Sequence, residues 1–104
     1  MAAGVLGTLA LAGTAALAGQ KLGEVQPRRA PETVYAQTCG YCHGKNVGPI
    51  ILGRQLPADA VKLMVRTGMG GMPAFRPSEI TEAELADLSR WVETSQADAK
   101  EHGR

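Results

Sequence analysis

Both cysteines of the chain and one of its two histidines stand within five consecutive residues. Cys39 and Cys42 are separated by two residues, and His43 directly follows the second cysteine. Two thiols at this spacing can add to the two vinyl groups of a porphyrin, and the adjacent imidazole then ligates the iron from below the ring. The motif therefore predicts one covalently attached haem c, with Cys39, Cys42 and His43 as its attachment and iron-binding residues.

Three other chemistries use a Cys-x-x-Cys pair. A zinc site takes four ligands, and beyond these three residues the chain offers only His102, in its polar C-terminal tail. A thioredoxin-like redox pair is typical of a βαβ fold, for which no strand-like alternation is present. A disulfide at this spacing would close a very small loop and stabilise little. The histidine beside the second cysteine favours haem over all three.

The second axial position of the iron decides what such a haem does. A methionine sulfur there closes the iron to small ligands and is typical of electron carriers, whereas an open position suits oxygen chemistry or ligand sensing. Met69 and Met72 both lie in a glycine-rich loop, residues 68–73, while Met64 lies within a predicted helix and is expected in the core. Pro73 stiffens the residue before it. The sequence therefore predicts Met72 as the ligand, with Met69 as the alternative.

Two loop residues are candidates for contacts around the haem. A ligating imidazole normally donates its other N–H to a carbonyl, and Pro49, soon after His43, can present one. Arg54 can pair with a haem propionate. For Pro49 an ordinary turn is equally compatible with the sequence, and for Arg54 a solvated loop arginine is. Tyr35 and Trp91 are interpreted as packing residues between the first and last helices.

The periodicity of apolar residues predicts an all-α domain with long loops. Three helices are expected, over Glu32 to about Gly40, from near Pro57 to Gly68, and from a Thr81–Glu84 capping box to about Ser95. The last helix carries apolar side chains on one face, and a polar tail follows it to the end of the chain.

The N-terminal segment Ala2–Gly19 contains only Ala, Gly, Leu, Val and Thr. We interpret residues 1–19 as a secretion signal, with small residues at Ala16 and Ala18 for cleavage, or as a membrane anchor. Residues 20–30 are expected to form a solvated linker, and residues 31–104 the folded domain. Either interpretation of the apolar segment predicts export, and hence a periplasmic protein.

Charge and size limit the function further. From Pro31 onward there are eight Lys and Arg against nine Asp and Glu, so the domain has no basic face for nucleic acid. A domain this small with four aromatic residues cannot build a large core from side chains alone, and a haem would complete it. No acid–base or nucleophilic group accompanies the motif, so an electron-transfer protein rather than an enzyme is expected.

The motifs together resemble the class I c-type cytochromes, over about Val34 to Glu93. Within that class the chain is most similar to the cytochrome subunits of para-cresol methylhydroxylase-type flavocytochromes. The matching pieces are Val47-Gly48-Pro49, Leu52-Gly53-Arg54, Leu56-Pro57, Val65-Arg66 with Gly68, and Met72-Pro73-Ala74-Phe75. Pro31 departs from the pattern, because the family usually carries a glycine there that lets the first and last helices approach closely.

The resemblance implies a small class I fold of three or more helices around one covalent haem, with His43 and Met72 as axial ligands and Pro49 as the carbonyl partner of His43. It implies that Tyr35 packs against the helix bearing Trp91. It further implies an electron donor that is a dehydrogenase, such as a flavoprotein subunit oxidising a small organic substrate, and a downstream cytochrome or oxidase as acceptor.

Overall fold

The computed structural model describes residues 27–103, together with Gly4 and Gly7. The predicted signal or anchor, residues 1–19, otherwise lies outside the described residues. Within the part that is described, no helix is long and apolar enough to cross a membrane.

Three α-helices and one short 3-10 turn make up the regular structure of residues 27–103. Helix α1 spans Pro31–Gln37, the 3-10 turn spans Cys39–Tyr41, α2 spans Ala58–Thr67 and α3 spans Glu82–Glu93. These described residues contain no β-strand, only two isolated bridges, His43–Gly48 and Met69–Met72. The all-α prediction is confirmed.

The ends of the helices follow local chemistry. Pro31 stands in the first turn of α1, where its missing N–H costs nothing. Gly68 ends α2 with a φ of +68°, which a residue with a side chain rarely adopts. The capping box predicted for α3 is present, because the Thr81 side chain accepts from the Glu84 amide and the Glu84 carboxylate accepts from the Thr81 amide.

The first helix is shorter than the sequence predicts. It stops at Gln37, because Thr38 leaves the helical region with φ −125° and ψ −69°. The chain then tightens into the 3-10 turn, which begins at Cys39. The expected helix to Gly40 is therefore wrong in its last residues, since an α-helical pattern does not distinguish a final α-turn from a tighter one.

One apolar core joins the three helices. Helix α3 packs against both α1 and α2, and Tyr35 meets Trp91 with ring centroids 5.3 Å apart at 52°. The predicted contact between these two aromatic residues is confirmed, and Pro31 does not prevent it. The buried apolar residues are Val34, Tyr35, Leu52, Val65, Ile80, Leu85, Leu88 and Val92.

The last residues of the segment 20–30, which is expected to be a solvated linker, contact the folded domain. Arg28 pairs with Asp87 at 3.4 Å, and Arg29 pairs with Glu84 at 2.8 Å. Arg29 also donates to the backbone carbonyl of Glu79 at 2.9 Å. Two adjacent arginines in a sequence indicate solvent exposure, whereas here both find carboxylates on α3. The division of the chain into linker and folded domain stays a prediction.

Candidate haem site

The Cys-x-x-Cys-His segment is wound into a compact turn. The amides of Cys42 and His43 both donate to the carbonyl of Cys39, at 3.2 and 2.9 Å. This winding brings both thiols and the imidazole to the lining of one cleft. Neither cysteine is in a disulfide, and both are half-buried. The structure therefore brings together the three residues that the motif selected.

The orientation of His43 is set by a backbone carbonyl. Its Nδ1 lies 2.7 Å from the carbonyl oxygen of Pro49. Because a carbonyl only accepts, Nδ1 must carry the proton, which leaves the lone pair of Nε2 free for a metal. The contact predicted between His43 and Pro49 is thus present in the fold, and its geometry suits an iron-ligating imidazole.

Gly48 permits this close approach. A Cβ built on Gly48 would lie 2.9 Å from Nδ1 of His43, closer than real Cβ contacts come. The Gly48 amide also donates to the carbonyl of Cys42 at 3.1 Å, which closes the loop back on the motif. The small residue before Pro49 is therefore required by packing.

The two candidate methionines form a tight hairpin. The amides of Met69 and Met72 donate to each other's carbonyls at 3.0 and 2.9 Å, with Gly70 at φ +55° in the turn between them. Met69 is 68% exposed, whereas Met72 is half-buried and packs against the apolar core. A ligand must be held in place, so the environment of Met72 suits that role better.

The cleft itself is apolar and of a size suited to a cofactor. It consists of two adjoining cavities of about 330 Å³ each. Both are lined by His43, Pro49, Ile51, Val65, Met69 and Met72. Such a cleft with a few convergent donors is typical of cofactor sites. Two thiols, an imidazole and a thioether in an apolar cleft are a donor set that fits a haem.

Met64 lies differently from its sequence assignment, whereas the role of Arg54 stays open. Met64 is not buried in the core but is half-buried and lines the second cavity of the cleft. Arg54 is exposed and is not among the residues that line either cavity. Its pairing with a propionate stays a prediction.

The electrostatics of Cys39 differ from those of a redox-active thiol. Burial raises the pKa of the Cys39 thiol to about 11. In reactive Cys-x-x-Cys pairs the surroundings instead stabilise one thiolate, so the pKa of that cysteine is lowered. The thiol–disulfide interpretation therefore has no electrostatic support.

Among residues 27–103, no group of three or more His, Cys, Asp or Glu side chains is arranged to hold a metal ion.

The C-terminal tail packs on the domain, which its polar composition does not predict. Tyr35 donates its hydroxyl to the carboxylate of Glu101, and burial together with this hydrogen bond raises the pKa of Tyr35. The amide of His102 donates to the carbonyl of Gly44 at 2.8 Å. The tail therefore lies against the residue that follows His43. No residue pattern in the sequence marks this contact. In the structure Gly44 has a φ of +79°, and a Cβ built on it would overlap the side chain of Glu101.

Comparison with known proteins identifies the class to which this site belongs. Residues 26–92 match the family model described as "Cytochrome C oxidase, cbb3-type, subunit III". The chain belongs to this cytochrome c family. Membership implies a haem, and the cleft described above has the residues to hold one.

Individual relatives narrow the comparison. The cytochrome c subunit of 4-cresol dehydrogenase (hydroxylating) from Pseudomonas putida is 34% identical over 70 residues, which are 65% of this chain and 62% of that protein. This cytochrome therefore spans less than two thirds of the length of that relative. A chain in the crystal structure of p-cresol methylhydroxylase with substrate bound is 32% identical, with a TM-score of 0.62. That match covers 67% of this chain and 97% of the other. The resemblance inferred from the motifs is confirmed.

Proposed function

We propose that this cytochrome carries one electron at a time on a single covalent haem c, from a dehydrogenase to a downstream cytochrome or oxidase. The observation that carries the proposal is the convergence of Cys39, Cys42, His43 and Met72 on one apolar cleft. The bound haem supplies the reversible one-electron chemistry. The chain supplies attachment, ligands and an apolar environment, and no substrate chemistry of its own.

Each residue has a distinct part in this proposal. Cys39 and Cys42 would form the thioether bonds to the haem, and His43 and Met72 would ligate its iron. Pro49 holds the proton of Nδ1 on the imidazole and so fixes the orientation of the ring. A methionine thioether raises the reduction potential of the iron and closes it to small ligands. Arg54 is proposed to pair with a propionate.

The proposed electron donor is a flavin-containing subunit that oxidises a small organic substrate. The support is the 34% identity to the cytochrome c subunit of 4-cresol dehydrogenase. We also propose that the protein works in the periplasm, because the uncharged segment Ala2–Gly19 has the composition of an export signal or an anchor.

The ligand assignment is tested by replacing the two loop methionines separately. In the oxidised protein from a host that attaches c-type haem, Met72→Ala should abolish the sulfur-to-iron charge-transfer band. Met69→Ala, in the same hairpin, should leave the band in place. If the opposite pattern is found, Met69 is the ligand. Carbon monoxide binding to the reduced wild type would contradict a closed iron and favour a ligand sensor or haem enzyme, and a colourless preparation would contradict the haem itself.

The donor is tested by purification from native membranes and periplasm. A flavin-bearing protein that copurifies, and that reduces this cytochrome when its organic substrate is added, is the expected result. Copurification with a partner lacking flavin would contradict the proposed donor while leaving haem electron transfer intact.

A further inference from the structure

The segment that follows Met72 is held against α2 by backbone contacts. The amide of Phe75 donates to the carbonyl of Val65 at 2.8 Å. Gly68 lies so close that a Cβ built on it would come within 2.6 Å of the carbonyl oxygen of Met72. The chain from Met72 to Phe75 therefore lies directly on the last turn of α2.

One side chain adds to these backbone contacts. The Arg66 guanidinium donates from Nη1 to the carbonyls of Phe75, at 3.2 Å, and Ile80, at 2.9 Å. From Nη2 it donates to Glu82 Oε1 at 2.8 Å. Arg66 is only 22% exposed, and Glu82 is 79% exposed. The two carbonyl bonds are therefore better shielded from water than the ion pair.

On its other side Met72 is bonded to its own hairpin, where the amides of Met69 and Met72 donate to each other's carbonyls. A Cβ added to Gly70 or Gly71 would meet nothing within 4 Å, so the tip of the hairpin lies in open space. Two adjacent glycines also give the backbone there wide conformational freedom. The hairpin bonds fix Met72 relative to Met69, and the contacts on the Phe75 side, where Arg66 binds, hold it on α2.

We infer that Arg66 is a positioning residue for Met72. By bridging the carbonyls of Phe75 and Ile80, its guanidinium keeps the segment after Met72 on α2 and so limits how often the methionine sulfur leaves the iron. The inference rests on the proposed function, since it requires Met72 as the axial ligand. Nothing in it requires Arg66 to touch the haem.

The geometry requires arginine in particular. A guanidinium is a rigid planar fork that can serve several acceptors at once, whereas the lysine ammonium is a point charge on a flexible stem. Lysine at position 66 is expected to reach one carbonyl but not to bridge both. Its effect should therefore lie between those of arginine and glutamine.

The test measures how fast added imidazole replaces Met72 in the oxidised haem protein, because that rate reports how often the sulfur leaves the iron. Arg66→Gln should raise the rate by about tenfold or more, since hydrogen bonds to charged groups contribute enough for such a change. Arg66→Lys should give an intermediate rate. Exchange of the Phe75 amide with deuterium should accelerate in the same order.

Arg29 provides a matched control. Its guanidinium also binds a carboxylate, Glu84, and a backbone carbonyl, that of Glu79, together with the side chain of Gln37, but it makes no hydrogen bond to the residues from Met72 to Phe75. Arg29→Gln should lower the free energy of unfolding without changing the imidazole rate. Equal acceleration in Arg29→Gln and Arg66→Gln, at equal loss of stability, would show that Arg66 acts only on global stability and would overturn the inference.

Failure of the proposed function gives a different result. If the wild-type protein lacks the Met72-dependent charge-transfer band and takes up imidazole without delay, Met72 is not the ligand and the inference falls with it. If the band is present and the Arg66→Gln and Arg66→Lys rates both equal the wild-type rate, the proposed ligation stands and the role of Arg66 is refuted.

Discussion

Glu84 is a carboxylate buried at the start of α3, only 4% exposed. Its oxygens accept from Arg29 Nε at 2.8 Å, from the Arg29 amide at 3.0 Å and from the Thr81 amide at 3.1 Å. These donors offset the loss of hydration, because a buried charge is tolerated when it is paired and hydrogen-bonded. The hydrogen bond from Arg29 is the main reason that the pKa of Glu84 is lowered from 4.5 to about 2.

This lowered pKa predicts a specific dependence of stability on pH. The unfolded chain binds a proton at Glu84 near pH 4.5, and the folded chain only near pH 2. The stabilisation is therefore complete above about pH 4.5 and is lost as the pH falls towards 2. Glu84→Gln keeps a residue able to complete a capping box but removes the charge. It should lower the free energy of unfolding at pH 7 by about 2 kcal/mol.

Denaturant titrations from pH 7 to pH 2 measure this effect as the difference between wild type and variant. The difference should shrink across the acid range, because both proteins then carry an uncharged residue at position 84. The same replacement at exposed Glu32 serves as the control and should change little. A difference that stays constant with pH would mean that the Glu84 charge does not stabilise the fold.

Residues 97–103 of the C-terminal tail, which we call the strap, join several secondary-structure elements. The strap begins just beyond α3, where Ala97 lies so close that a Cβ on Gly53 would overlap its backbone. It ends against α1, where Glu101 accepts from Tyr35, and against the loop after the Cys-x-x-Cys-His motif, where His102 donates to the carbonyl of Gly44. The strap therefore connects α1, the loop after the motif and the end of α3.

Ending the chain at Gln96 should therefore destabilise the domain, although only polar and small residues are removed. The Tyr35 hydroxyl and the Gly44 carbonyl would lose their partners, and the free energy of unfolding should fall by about 2 kcal/mol. Guanidinium unfolding followed by far-UV circular dichroism measures the loss. The full-length Lys100→Ala variant, altered at an exposed strap residue, is the control. Equal stability of the shortened and full chains would show that the strap contributes nothing.

The apolar core of residues 27–103 is small and is open to the cleft. Val65 and Ile80 belong to the buried core and also line the first cavity of the cleft. Helices α1 and α2 each pack against α3, while the motif loop and the methionine hairpin meet across the cleft lining. A haem in this cleft would cover the apolar walls and link the two loops through bonds to His43 and Met72. Domains of this size commonly depend on such a group for stability.

Preventing haem attachment should therefore prevent stable folding. The double variant Cys39→Ser, Cys42→Ser should show reduced helicity and no cooperative thermal transition, because the cleft walls would be exposed to water. Met72→Ala, which keeps covalent haem, should remain folded and is the control. A haem-free double variant with wild-type helicity and a sharp transition would show that the polypeptide folds without the cofactor.

The all-α fold and the cytochrome family could both be predicted from the amino-acid sequence, and the haem ligands proposed for the site come from the same motifs. The Cys39 to His43 motif requires its residues to be adjacent, so their spacing is visible in one dimension. Helix α3 was equally predictable, since its capping box and apolar face are local patterns. For Pro49 the sequence left two possibilities open, an ordinary turn or a carbonyl acceptor for His43. The residues alone do not separate them, because the same Gly-Pro pair suits both.

The contacts between residues far apart in the chain became visible only in the folded structure. Arg29 reaches Glu84 across 55 residues and Glu101 reaches Tyr35 across 66. No local pattern marks such pairs, because a charged residue in a loop or tail is ordinarily solvated. The same holds for Arg66, whose partners Phe75 and Ile80 are backbone carbonyls that any sequence would supply. These contacts form on folding, because a polar group buried without a hydrogen-bond partner costs free energy. The stable fold is therefore one in which these groups are paired.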